Sequence, residues 1–217
     1  MKIKTIDIKW LGHATFEIKG MKSGITVITD PFAAKGAGKA DLILVTHEHF
    51  DHCDKGKIEE ASKPGTIIAG NSSVAEKLGK AELISAGQSK EFKGVAVKAV
   101  PAYNTSRFRS PGVPYHPKGS GIGFVFTVDG TKIYFAGDTD FIEEMKSLAD
   151  EKIDIALLPA DGKYTMDVPE AVEAMKVIRP RKVIPMHYGT VEGTAADPQD
   201  FKKRVEALGL GVEVIIF

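Results

Sequence analysis

Leu42-Ile-Leu-Val45 runs straight into Thr46-His47-Glu48-His49-Phe50-Asp51-His52, and this junction decides how the rest of the chain is read. Four apolar residues without a polar interruption have the length and character of a buried strand. Three histidines and an aspartate within residues 47–52 have no place in a packed core. In an extended segment alternate side chains share a side, so His47 and His49 face one way and can hold one metal ion. Asp51 and His52 lie past the bend and can hold a second. Imidazole and carboxylate donors suit zinc, and also manganese or iron. A closed structural zinc site of cysteine and histidine fits less well, because the chain has a single Cys. A metal-free surface cluster of histidines is the remaining alternative.

Composition bounds what surrounds this motif. A chain of 217 residues can bury roughly 70% of its unfolded surface, and residues 1–217 read as a single domain. Lys+Arg and Asp+Glu are balanced at 29 each, which argues against binding nucleic acid by bulk charge. One Cys excludes an intramolecular disulfide and fits a reducing, cytoplasmic setting. The opening MKIKTIDIKW lacks the apolar run of a signal peptide. No stretch approaches the roughly 18 apolar residues of a membrane span. Asn71, Asn104, Gln88 and Gln199 are the only side-chain amides, a scarcity that leans towards a thermophilic source. A homo-oligomer is left open.

Ile3 to Trp10 alternates as a strand, and turns near Gly12 and Gly20–Gly24 lead to strands at Thr15–Lys19 and Ile25–Thr29. Helices are expected at Lys55–Ser62, from Asn71 or Ser72 to Leu78, at Phe141–Ala149, from Asp167 to Ile178, and at Pro198–Leu208. The Asp167-Val-Pro-Glu170 start has the form of a capping box. Further strands are expected at Thr66–Ala69, Val95–Pro101, Ile122–Val128, Lys132–Ala136, Ile155–Leu158, Val183–Pro185 and Val212–Phe217. Asp129-Gly130 closes a hairpin. No internal repeat is visible. A β-rich start followed by alternating β and α predicts two packed sheets with helices outside, an α/β fold. Ala102–Gly121 resists assignment and reads as a functional loop.

The motif resembles the His-x-His-x-Asp-His signature of the metallo-β-lactamase superfamily. Trp10-Leu-Gly-His-Ala14, Thr29-Asp-Pro-Phe32, Leu158-Pro-Ala-Asp-Gly and Thr165-Met-Asp167 are similar to its branch of metal-dependent hydrolases without an assigned substrate. That branch also contains L-ascorbate-6-phosphate lactonase and N-acylphosphatidylethanolamine phospholipase D. The resemblance implies an αββα sandwich of metallo-β-lactamase type, two mixed sheets packed face to face, with two divalent cations at one edge. It makes Asp138, in Phe135-Ala-Gly-Asp-Thr139, the carboxylate bridging the ions, and His187 a partner of Asp51 and His52. Two positions compete for the third histidine of the first ion. His116 precedes a Gly/Ser-rich turn and a strand; Pro101-Ala-Tyr-Asn104 aligns with a Pro-Ala-x-His stretch, with Asn where relatives carry the ligand. His116 is the reading taken, since the site needs an imidazole. The alternative is a depleted first site.

Other residues carry two readings each. His13 either lines the pocket or holds the first hairpin. Asp30 either orients a ligand histidine or caps a turn. Tyr188 either donates to a substrate oxyanion or packs beside the site. Arg107, Arg109 and Lys118 either bind an anionic substrate or belong to a solvated loop. Cys53 reads as a buried, inert thiol. The function expected is hydrolysis of a small molecule's ester, lactone, amide or phosphodiester bond by a water bridging two ions, with Asp51 relaying the proton. The alternatives are an iron-dependent oxidoreductase on the same fold and a catalytically inactive metal-binding or sensing protein.

Overall fold

A computed structural model describes residues 1–32 and 36–217. The first sheet contains β1 (Lys2–Ile3), β2 (Ile6–Gly12), β3 (Thr15–Gly20), β4 (Thr26–Thr29), β5 (Leu42–Val45), β6 (Ile67–Gly70) and β7 (Glu82–Leu83), in that spatial order. Strands β1 to β4 pair antiparallel, and β4 to β7 pair parallel. Along β5 the side chains alternate between two apolar environments. Leu42 and Leu44 enter the core between the sheets. Ile43 and Val45 pack outward with residues of α1 (Lys55–Ala61) and α2 (Ser72–Leu78). A strand buried on both faces has to be apolar throughout, which is why β5 carries no polar residue.

The second sheet runs in the order β16 (Glu213–Val214), β15 (Lys182–Met186), β14 (Ile155–Pro159), β13 (Thr131–Phe135), β12 (Gly121–Val128), β9 (Val95–Ala102) and β8 (Ser89–Phe92). Its strands β8, β9, β12 and β13 pair antiparallel and β13 to β16 parallel. Phe124, Phe126, Ile133 and Phe135 meet Ile8, Phe16 and Ile18 of the first sheet in one core. Helix α3 (Val168–Ile178) adds Ala171, Ala174, Met175 and Ile178 to that core, and α4 (Pro198–Ala207) adds Phe201 and Val205. The expected architecture is present: two mixed sheets face to face, with helices outside.

Four local expectations need correction. Ile3–Trp10 is not one strand. The chain doubles back at Lys4–Thr5, with Lys4 at φ +51, and pairs Ile3 with Ile6. The hairpin buries Ile3 and Ile6 together, which a continuous strand would place on opposite faces. Phe141–Ala149 is not an α-helix but a 3₁₀ helix over Glu143–Glu151. Ile142, Met145 and Leu148 are buried at every third residue, the repeat of that tighter helix. The terminal strand shrinks to Glu213–Val214. The unassigned segment holds a small antiparallel pair, β10 (Phe108–Ser110) and β11 (Val113–Pro114), on either side of Gly112 at φ +76.

Candidate metal centre

The polar residues of the motif begin where β5 ends. The amides of His52 and Cys53 both donate to the His49 carbonyl, at 3.1 and 2.8 Å, and this makes the bend that turns Asp51 and His52 inward. Asp138 arrives from the end of β13 after Gly137 at φ +66. A Cβ at Gly137 would lie 3.0 Å from both the Ile122 carbonyl and the Thr46 side chain, so only glycine lets the two loops approach this closely. His187 follows β15 at φ +64. His13 stands in the β2–β3 turn at φ +54, and its carbonyl accepts from the His187 amide at 3.1 Å and from Trp10 Nε1 at 2.9 Å. His116 comes from the connection between β9 and β12.

Four imidazoles are held by the nitrogen that faces away from the centre. His52 Nδ1 lies 2.7 Å from Asp30 Oδ2, and His187 Nδ1 lies 2.9 Å from Asp161 Oδ2. His116 Nδ1 is 2.8 Å from Asn104 Oδ1. The Asn104 amide cannot be reversed, because its Nδ2 donates to Asp140 and to the Tyr164 carbonyl, both at 2.9 Å. His47 Nδ1 is 3.0 Å from Thr46 Oγ1, whose single proton goes to Asp30. In its neutral form each ring therefore carries its proton on Nδ1, which leaves Nε2 as the atom facing the centre.

Those inward atoms converge. His52 Nε2 and His187 Nε2 are 3.2 Å apart, and His116 Nε2 is 3.2 Å from His49 Nδ1. Asp138 Oδ1 lies 3.2 Å from His52 Nε2 and 3.1 Å from His187 Nε2, while its Oδ2 lies 3.2 Å from His116 Nε2. His47 Nε2 is buried without a hydrogen-bond partner. Donors about 2.0–2.1 Å from a tetrahedral ion sit roughly 3.3 Å from one another. The donor spacing thus fits cations on both sides of Asp138.

The electrostatics are those of a charged, buried cluster. Burial opposes charge on Asp138, but His187, His52 and His116 outweigh it and hold the carboxyl well below its usual range. Burial also opposes charge on His52 and His187. Asp138, helped by Asp30 and Asp161 respectively, raises His52 well above an ordinary histidine and His187 to about 9. Asp51 is held down to about 2 against its burial by the His13 hydrogen bond and the charge of His52. Burial lowers His13 to about 4; its Nε2 is 3.1 Å from Asp51 Oδ2, and its ring centroid is 3.8 Å from that of His187. Burial pushes the Cys53 thiol up to about 11, which keeps it inert.

His47, His49, His116, Asp51, His52, Asp138 and His187 are thus brought together; His13 joins the donor group of Asp51, His52 and His187, and Asp30 stands behind His52. Asn104 does not take a place facing the centre; it sits behind His116. A cavity of about 390 Å³ opens onto the cluster, lined by His49, Phe50, Asp51, Arg109, Tyr115, His116, Asp138, Tyr164 and Val191. Of the expected substrate contacts, only Arg109 is in this lining. Arg107 is drawn away by Glu170, with Asp140 and Asp167 at 3.6 and 3.7 Å. Lys118 pairs with Glu144 at 2.8 Å. Tyr188 packs on the Trp10 ring, centroids 5.1 Å apart. Asp161 was missed as a supporting residue. Its sequence signal is its place in Leu158-Pro-Ala-Asp-Gly, a motif of the resemblance that assigned it no role, and Asp-Gly at a strand end is shared by any turn.

Two mixed sheets with convergent imidazoles and carboxylates at their strand ends define the metallo-β-lactamase fold class. The Beta-lactamase superfamily domain model matches residues 7–187. A UPF0173 metal-dependent hydrolase of Methanopyrus kandleri is 35% identical, over 96% of this chain and 95% of its own length. The crystal structure of a Parabacteroides distasonis protein is 34% identical and superposes with a TM-score of 0.84, covering 97% of this chain and 92% of its own. A metallo hydrolase from the hyperthermophilic archaeon Ignicoccus hospitalis is 28% identical with a TM-score of 0.82, covering 99% and 95%. The chain belongs to the β-lactamase superfamily, among the UPF0173 metal-dependent hydrolases. No helix among the described residues is long and apolar enough to cross a membrane.

Proposed function

We propose that this chain hydrolyses an ester, lactone, amide or phosphodiester bond of a small molecule with the help of two divalent cations, zinc foremost. His47, His49, His116 and Asp138 would hold one ion; Asp51, His52, His187 and Asp138 the other. The observation that carries this reading is Asp138, whose two oxygens face two separate histidine groups at 3.1–3.2 Å. Bound there, such ions supply Lewis acidity for the scissile carbonyl or phosphoryl group and acidify a water near neutral pH.

The protein's own contributions follow from its hydrogen bonds. Asp30, Asp161, Asn104 and Thr46 fix the ring orientations, so no reorganisation is needed during reaction. Asp51 stands in the cavity wall as a carboxylate, where it takes the proton of the attacking water and passes it to the leaving group. His13 holds the Asp51 oxygen that faces it and fixes the rotation of the carboxylate.

The test is elemental analysis of protein purified without a histidine tag, followed by a hydrolysis panel of the four bond types. The expected result is about two ions per chain and turnover of at least one bond type that is lost in Asp51→Asn. One ion or none after careful repletion, or wild-type rates in Asp51→Asn, would overturn the reading.

A further inference from the structure

The cavity wall joins apolar surface to a single permanent cation. Phe50 is 65% exposed beside the cluster. Its ring meets Phe32 edge-on at 5.7 Å. Tyr115 and Tyr164 meet edge-on at 4.9 Å in the cavity wall, and Val191 completes the apolar collar. The Arg109 guanidinium lies over Tyr115, 5.9 Å from its centroid, and one of its nitrogens donates to the Tyr115 carbonyl at 3.0 Å.

Arg109 differs from its neighbours in what it lacks. Arg107 and Lys118 are committed to carboxylates. Among the described residues, no Asp or Glu pairs with Arg109, and it is the only lysine or arginine in the cavity lining. The two carboxylates in that lining, Asp51 and Asp138, belong to the metal cluster. The guanidinium fork therefore faces the cavity rim with donor capacity left over, positioned by an aromatic ring it stacks on.

We propose that the substrate is an amphiphilic organic monoanion: an aryl or acyl body between the collar residues, its scissile group at the cations, and a carboxylate at the far end received by Arg109. This inference rests on the two-cation reading of the floor. One guanidinium matches the single charge and planar geometry of a carboxylate. A nucleic-acid strand would need a row of cations along its backbone, which this lining does not have.

The test uses metal-loaded protein and inhibitors whose hydroxamate end occupies the ions, leaving the other end to report on the rim. Phenylacetohydroxamic acid is compared by calorimetry with its 4-carboxy and 4-trimethylammonio derivatives. The 4-carboxy compound is expected to bind about tenfold tighter than the parent, a gain set by a charge-assisted pair, and the cationic compound more weakly. Arg109→Gln should remove the gain, and Arg109→Lys should recover part of it, since lysine keeps the charge without the fork. Equal binding of the three compounds, or a gain that survives in Arg109→Gln, overturns the carboxylate subsite and leaves the metal reading standing. Binding of none of them overturns both.

Discussion

Residues 2–83 and 89–214 each lay down four antiparallel strands followed by three parallel ones, yet they furnish the metal cluster in different ways. Three places correspond. The β2–β3 turn presents His13, and the β9–β12 connection presents His116. The end of β4 presents Asp30, and the end of β13 presents Asp138. The end of β5 presents the His47–His52 loop, and the end of β14 leads to Asp161. In the second and third pairs one member faces the centre and the other stands behind it; in the first, His13 joins the donor group of Asp51, His52 and His187. Asp30 is fully buried and gives both its oxygens to Thr46 and His52. Asp138 turns its oxygens towards two histidine groups. A carboxylate at a strand end becomes a ligand or a support according to how far it projects, and depth of that kind is a tertiary property.

The largest effect expected from this comparison separates the two strand-end aspartates. Asp138→Asn should lower hydrolysis by at least about a hundredfold and reduce bound metal, since on the proposed reading both ions share it. Asp30→Asn should leave two ions bound but weaken their affinity by roughly tenfold to a hundredfold, the range for an outer hydrogen-bond partner. Metal titration with steady-state rates checks both, and equal losses in the two variants would break the distinction.

The turn histidines give the next contrast. His116→Ala should bring the metal content from about two ions to about one. His13→Ala should keep about two, with a weaker second ion because Asp51 loses its anchor. Retention of two ions by His116→Ala would break the contrast between the two turns.

The smallest effect lies at the seam between the halves. Lys4 of the first half pairs with Asp154 of the second, and the Lys132 amide donates to the same carboxylate at 3.0 Å. Burial opposes the charge, but Lys4, Lys132 and Arg181 outweigh it and hold Asp154 below the ordinary carboxylate value. A depressed carboxyl contributes its full stabilisation above the unfolded value of about 3.9 and loses it as pH falls through the folded one. Thermal melts should therefore show wild type above Asp154→Asn at pH 7, with the gap narrowing as pH falls below about 3.9. A gap unchanged across that fall would rule this contribution out.

The sequence disclosed the candidate metal cluster more readily than the repeat that carries it. His47, His49, Asp51 and His52 sit within one short run whose chemistry has no use in a core. The repeat is invisible because strand pairing depends on hydrogen bonds that any residue supplies, while β7 and β8 are short, mostly exposed edge strands with no alternating apolar signal. Asn104 looked like a lost ligand because alignment shows position and not orientation; its amide backs His116 instead. Arg107 and Lys118 looked free for a substrate because nothing local reveals partners such as Glu170 and Glu144, 63 and 26 residues away in the chain.

Cys53 adds one last consequence. It follows His52 directly, is fully buried between the first sheet and its two helices, and donates its amide to the same His49 carbonyl that shapes the ligand loop. A thiol reagent can reach it only when the packing of loop, sheet and helices around it opens, and the chain has no other thiol to consume the reagent. The colour released by an aromatic disulfide thus counts openings of this region, the ligand loop included. Adding cations should slow the count in proportion to how firmly they close it. Without any engineered label, the protein carries a clock for the breathing of its own metal centre.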